Sequence, residues 1–440
     1  MLLPSKKWIS TCIFFLLLIL ILVASFFGAK ENIFAQVSQP VTISVYHLCT
    51  SAAIEDVNIR CESDFAGAGT KRALPGTEQQ QQFIVWFCDS TDPQVYQPYD
   101  NELNYGCGRD PISGNWHYPD GWSNPITLDV ETYLYDVITP EMDPDDYPAV
   151  AVQAQAVAAR TKALRSGSFD NSNAFQVYFP NTGKLSGIPI VDSTAGQVIH
   201  YAGNLVAAQF SADHAGEWTT QNFYYPDANQ HLKSIYDPEG RGGAHGEGLS
   251  QLGACRWVTG YDLAQANLVG EGCIWQDQSE KYPEWKGYRQ ILAHYYTGID
   301  IVDANGVQLA PALRWNPIVV DAPTTMQAGQ STNIPVIVQN SGKVAWDISA
   351  EITYWWEDTN GQVIPATITP LTINDVVEPG EVPGEIAGQQ NTPIPLNLLV
   401  AAPNNVISGD YFLVLDMQQG GNLFSSSGWF SHKITQVATL

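Results

Sequence analysis

Residues 126–167 read ITLDVETYLYDVITPEMDPDDYPAVAVQAQAVAARTKALRSG. The part up to Met142 reads as a strand or short helix leading into a turn marked by Pro140 and Pro144. Asp145 or Asp146 can cap a following helix that has Pro148 near its first turn. Alanines dominate that helix; they give it high propensity and let neighbouring backbones approach closely, and Gly167 is a natural stop. A small-residue helix set among strand-like segments points to an α+β class for this part of the chain.

Strand pattern resumes on the C-terminal side. FQVYF (175–179) and GQVIHYAGNLVAAQFS (196–211) are β-like, the second a hairpin turning at Ala202-Gly203-Asn204. A polar loop, DHAGEWTTQ (213–221), and a glycine-rich loop, GRGGAHGEG (240–248), come next. LSQLGACRWV (249–258) and YRQILAHYYTG (288–298) read as helices, the latter ended by Gly298. On the N-terminal side, VTISVYHL (41–48), VNIRC (57–61) and EQQQQFIVWFCD (78–89) read as strands. Residues 89–124 are turn-rich and irregular.

From Pro317 onward the chain carries short strands at regular spacing: IPVIVQN, AEITYWWED, IPLNLLVAA, GDYFLVLDMQ and WFSHKITQV. Turn residues separate them, so 313–440 is expected to be an all-β, immunoglobulin-like sandwich. Its aromatics, Trp346, Tyr354, Trp355, Trp356 and Trp429, suit a core. The expected organisation is an export segment over 1–36, a strand-rich α+β domain over 37–310, and the sandwich.

The export segment has Lys6 and Lys7 before an apolar run from Trp8 to Ala29. That run is about 20 residues, enough to span a bilayer. It reads either as a signal peptide cleaved after Ala35 or as an uncleaved anchor. In both cases the body of the protein is expected outside the cytoplasm, with membrane contact only through this segment. Six further cysteines, Cys49, Cys61, Cys88, Cys107, Cys255 and Cys273, suit structural disulfides in that compartment. Local pairing (49–61, 88–107, 255–273) is the expectation, although six cysteines allow about 15 connectivities. None has zinc-type spacing, so neither a metal nor another cofactor is expected.

The formal net charge is −25. Nucleic acid, a polyanion, is therefore excluded as a partner by long-range repulsion. Neutral or weakly charged carbohydrate is compatible with this charge, and the 13 Trp and 20 Tyr suit stacking on sugar faces.

Four stretches in order resemble the stage II sporulation protein D (SpoIID/LytB) family over about 110–305. They are LDVETYLYDVITPEM; AVQAQAVAARTKAL; FQVYF with TAGQVIHYAG and SADHAGEWTT; and GRGGAHGEGLSQLGA followed by HYYTG. The resemblance implies a lytic transglycosylase that cuts peptidoglycan glycan strands from which amidases have removed the stem peptides, leaving 1,6-anhydromuramoyl ends. Other family members are described as amidase enhancers, and an N-acetylmuramoyl-L-alanine amidase is then an implied partner. By the resemblance, the Glu before Met is the catalytic acid/base, which here is Glu141. A single carboxyl suffices for such chemistry because the sugar's own C6 hydroxyl attacks, whereas ordinary glycosidases need two. The acid needs a raised pKa, obtained by burial.

Gln155 and Arg160 on the alanine-rich helix either orient Glu141 or a substrate acetamido group, or bond to nearby backbone. Gln176 has the same two readings. His214 and Thr219 of the polar loop, and His245, Ser250 and Gln251 of the glycine-rich loop and helix start, are the remaining substrate-binding candidates. Glycines there let backbone approach a ligand. A hydrolase triad built on His245 and Ser250 lacks a nucleophile-elbow pattern. The chain departs from the family at Val150, where Glu is common, and at Lys162, where Tyr is common. Glu217 and Glu247 also depart from its loop patterns.

Overall fold

Asp129 ends the strand Ile126–Asp129 and opens helix α1, Val130–Glu141. Its Oδ1 accepts hydrogen bonds from the amides of Glu131 (3.0 Å) and Thr132 (3.3 Å), satisfying donors that a helix start leaves without partners. In this computed structural model the chain is described over residues 42–46, 108–109, 116–117, 126–166, 168–170, 176–178, 183–220, 230–241, 245–260, 283–384, 392–404 and 406–439. The export segment and the 57–61 and 78–89 strands expected above lie outside the described residues. So does at least one cysteine of each expected pair.

The stretch left open as strand or helix is thus both, with the switch at Asp129. Pro140, lacking an N–H, sits in the last turn of α1, and the helix ends at Glu141. The amide of Met142 closes that turn on the Ile138 carbonyl at 2.8 Å. Asp145 does not cap the next helix: its carboxylate pairs with Lys184 and Ser186 instead.

Helix α2, Ala149–Ser166, is buried on most of its circumference, including Gln155, Arg160 and Thr161. Small side chains allow α1, the short helix α3 (Ile188–Asp192), α4 (Gln251–Thr259) and α5 (Tyr288–Tyr295) to pack around it. Arg160 fastens α2 to α1: its Nε and Nη2 donate to Glu131 at 2.8 and 2.6 Å. Its Nη1 donates to the Gln197 carbonyl at 3.2 Å.

Small sheets flank the helices. Thr42–Tyr46 pairs antiparallel with Ile126–Asp129 and parallel with Ser168–Asp170. The expected hairpin is present. Val198–Tyr201 pairs with Asn204–Leu205, and Ala202 and Gly203 take φ of 49° and 82° in the turn. Positive φ at both turn positions matches the right-handed twist of the flanking strands. Of FQVYF, only 176–178 is described, and these residues are not in a strand.

The C-terminal region is strand-rich. One sheet orders Asn316–Val320, Ser331–Gln339 and Leu396–Ala401 side by side; a second, seven-stranded sheet is centred on Ala350–Glu357 and Gly409–Gln419. Ile352, Tyr354 and Trp356 are buried opposite Met417, Leu415 and Leu413, the period-two pattern legible in the sequence. The whole described chain is mixed α and β with few helices, compatible with the expected α+β class.

This region shares a core with the helices. Trp257 of α4 stacks on Trp285 with ring centres 4.2 Å apart. Trp285 Nε1 donates to the Pro317 carbonyl at 3.0 Å. Asn316 donates to the Gln290 carbonyl of α5 at 2.9 Å, and Arg314 to the Ile299 carbonyl at 2.7 Å. Each large apolar side chain buried along this seam contributes about 1.5–3 kcal/mol relative to exposure.

Candidate functional site

The bend after α1 sets Glu141 where three segments meet. Its Oε1 accepts the backbone N–H of Val177 at 2.6 Å, and its Oε2 accepts Gln251 Nε2 at 3.1 Å. The side chain is half-buried. Desolvation pushes its pKa above the usual carboxylate value and outweighs the opposing effect of the two hydrogen bonds and of the Lys162 charge. Lys162 answers in kind: burial lowers its pKa to about 8, with the Glu141 charge working against that fall.

Both hydrogen-bond donors are themselves held. Gln176, next to Val177, donates its amide to the Tyr133 hydroxyl at 2.6 Å, and Tyr133 stacks on Tyr178 at 4.9 Å. The segment 176–178 is thereby fixed on α1, with the Val177 amide facing Glu141. Gln251 opens α4, which Ser250 caps by accepting the Gly253 amide at 2.8 Å. Ser250 Oγ also donates to Asp213 Oδ1 at 2.7 Å. It makes no bond to His245, so no serine triad forms there.

Behind Ser250 lies a buried ionic cluster. Arg256 Nη1 donates to Asp213 Oδ2 at 3.0 Å, and Arg256 Nη2 lies 3.6 Å from Asp237 Oδ2. His214 Nε2 is 2.8 Å from Asp237 Oδ2, and the Tyr295 hydroxyl donates to the same oxygen at 2.7 Å. His214 and Arg256 hold the Asp237 carboxyl well below its usual range although burial opposes them. The cluster is sealed from solvent, so it braces the loops and α4 rather than meeting a substrate.

The candidates therefore separate by position. Gln251 touches Glu141, Gln176 adjoins its backbone donor, and Ser250 anchors Gln251. His245, at the surface, takes the Glu247 amide on Nδ1 at 3.1 Å. Partial burial and the Lys162 charge lower its pKa. Arg160 is closed on Glu131, His214 on Asp237, and Thr219 accepts the Ile235 amide at 3.0 Å. Gln155 is fully buried and neither of its amide atoms has a hydrogen-bond partner among the described residues. The acids after Glu141 do not join it: Asp143 and Asp145 both pair with Lys184.

Sequence reasoning did not count Lys162 among the site residues. It missed the Asp213–Arg256–Asp237 cluster as well. One signal was available: Lys162 is two helical turns from Gln155 and so shares its face. Among the described residues no three His, Cys, Asp or Glu side chains are grouped to hold a metal ion.

Residues 118–201 match the family described as Stage II sporulation protein. That span contains α1, Glu141 and α2. An uncharacterized protein of Brachyspira hyodysenteriae is 38% identical over 98 residues, which cover 19% of this chain and 26% of that protein. The chain thus spans about a quarter of the length of this curated relative. Among solved structures, a CARDB domain from Pyrococcus furiosus aligns with 29% of this chain and 86% of its own, at 10% identity and a TM-score of 0.16. The sporulation control protein of Bacillus subtilis aligns with 30% of this chain and 50% of its own, at 16% identity and a TM-score of 0.17. Scores this low establish no shared fold. The family match supports a sporulation- or cell-wall-related function.

Proposed function

We propose that the chain is an exported peptidoglycan lytic transglycosylase with Glu141 as its single acid/base. The observation that carries this reading is the carboxyl group itself: half-buried, raised in pKa, and held by one amide and one side-chain donor. In the first step the Glu141 O–H gives its proton to the glycosidic oxygen leaving the muramoyl C1, and the C1–O bond breaks. In the second, the C6 hydroxyl of the same sugar bonds to C1 and its proton returns to Glu141. No water is consumed, and a 1,6-anhydromuramoyl end results. A carboxyl whose pKa is raised by burial holds its proton more firmly, as a general acid requires.

A second reading has its own support. Lys162 and two hydrogen-bond donors all favour the Glu141 anion, which suits a non-catalytic wall-binding protein that assists an amidase. The C-terminal sheets then serve, in either reading, as an immunoglobulin-like spacer or wall-targeting module.

Incubation with amidase-treated peptidoglycan, followed by mass analysis, tests the proposal. Anhydromuramoyl products are expected, and they vanish in Glu141→Gln. Binding with no product from the unaltered chain would overturn the enzyme in favour of the accessory protein.

A further inference from the structure

Helix α1 carries Glu141 at its end and, earlier along its length, the anchors of a second chain segment. Tyr133 Oη accepts Gln176 Nε2 at 2.6 Å, Asp136 Oδ1 accepts the Gly183 amide at 2.8 Å, and Thr139 Oγ1 accepts the Lys184 amide at 3.1 Å. The three anchors repeat every third residue and so lie along one side of the helix. Gly183 lets the backbone come this close: a Cβ there would stand 2.8 Å from the Tyr135 carbonyl oxygen and 3.0 Å from Asp136 Oδ1. The acid and the segment that supplies its amide donor thus share one rigid support.

The first anchor matters most to the carboxyl. Gln176 precedes Val177, whose N–H meets Glu141 Oε1 at 2.6 Å. Among the described residues Tyr133 is the sole hydrogen-bond partner of the Gln176 side chain, because the Gln176 carbonyl oxygen has none. Tyr133 is fully buried, Gln176 is 1% exposed, and the Tyr133 ring stacks on Tyr178. Neither side chain is open to a glycan, so whatever they do for the reaction passes through the backbone between them and the acid.

We infer that Tyr133 is a positioning residue: through Gln176 it fixes the Val177 amide on Glu141, which keeps Oε1 an acceptor and leaves Oε2 to carry the acid's proton. This rests on reading Glu141 as the acid. A backbone N–H can only donate, so the oxygen it meets serves as the carbonyl-type acceptor of a protonated carboxyl. Gln251 meets Oε2 at 3.1 Å with a side-chain amide. A half turn of that amide presents its carbonyl to an O–H, which the Val177 amide cannot do. The Val177 bond also favours the ionised carboxyl, so loosening it makes the proton harder to remove.

The test uses the full chain with ¹³C-labelled Glu carboxyls, the Glu141 signal being assigned by its loss in Glu141→Gln. Tyr133→Phe keeps the ring and removes the hydroxyl; Gln176→Met removes the other end of the bond. In each, the Glu141 titration midpoint is expected to move to higher pH, and the double variant is expected to move it no further than either single change. On amidase-cleared glycan, kcat falls roughly tenfold with KM unchanged, and the basic limb moves with the midpoint. A role in folding alone lowers stability without moving the midpoint. A midpoint that stays or falls in Tyr133→Phe overturns the inference, as does a double variant whose shift is the sum of the two. Should Tyr133→Phe fail to fold, Gln176→Met reads the same bond, and an unmoved midpoint there is equally fatal. The underlying reading fails separately: no anhydromuramoyl product from the unaltered chain, with midpoints moved as expected, overturns the transglycosylase and leaves the positioning role standing.

Discussion

Gln251 Nε2 donates to Glu141 Oε2 at 3.1 Å, joining the first residue of α4 to the last residue of α1. The bond favours the ionised carboxyl, so its loss moves the Glu141 pKa further upward. If the protonated acid starts the reaction, kcat/KM falls as pH rises through that pKa. Gln251→Ala is therefore expected to shift the basic limb of the pH profile to higher pH, with roughly a tenfold loss at its plateau from poorer positioning. Glu141→Gln is expected to remove about 10²–10⁴-fold of the rate. An unmoved basic limb in Gln251→Ala would show that Glu141 is not the titrating acid.

Arg256 is sealed between Asp213 and Asp237, and each carboxylate depends on it. Replacing it with methionine leaves buried negative charge with one fewer cation. Arg256→Met should cost about 3–5 kcal/mol, measured by urea unfolding. Its effect on activity, compared at a temperature where the variant stays folded, passes through Ser250 and Gln251. A loss under 1 kcal/mol would mean that water reaches the cluster.

Gly253 packs in the first turn of α4 beneath α5. A Cβ there would stand 1.9 Å from the Tyr295 hydroxyl and 2.8 Å from Ser250 Oγ. Neither group yields easily, since Tyr295 is bonded to Asp237 and Ser250 to Asp213. Gly253→Ala, which helix propensity alone would favour, is expected to destabilise by about 1–3 kcal/mol. A stabilised variant in thermal unfolding would show that the helix can slide outward.

His231 is buried, and desolvation lowers its pKa to about 4, although its contact with the Ala207 carbonyl opposes the fall. The ring is neutral in the fold and titrates near 6.5 once unfolded. The unfolded chain thus binds the extra proton between these values, and stability falls as pH drops from about 6.5 toward 4. His231→Gln should flatten that slope by roughly 1–3 kcal/mol, read from urea midpoints across the range. An identical slope in the variant would place the acid sensitivity elsewhere.

Local pattern by itself determined the alanine-rich helix, the hairpin at Ala202-Gly203, and the C-terminal strands. Each rests on periodicity, propensity or turn chemistry within a short window. The turn beside Glu141 was also legible from Pro140 and Pro144, but Glu141 itself was singled out by the family resemblance and not by local pattern. Only the tertiary structure decided which groups meet that carboxyl. Val177 and Gln251 reach it from distant points in the chain, and sequence spacing carries no record of such closures. The same holds for Arg160 and His214: their residue types suit a sugar site, but each is buried and bonded to a carboxylate, Glu131 for one and Asp237 for the other.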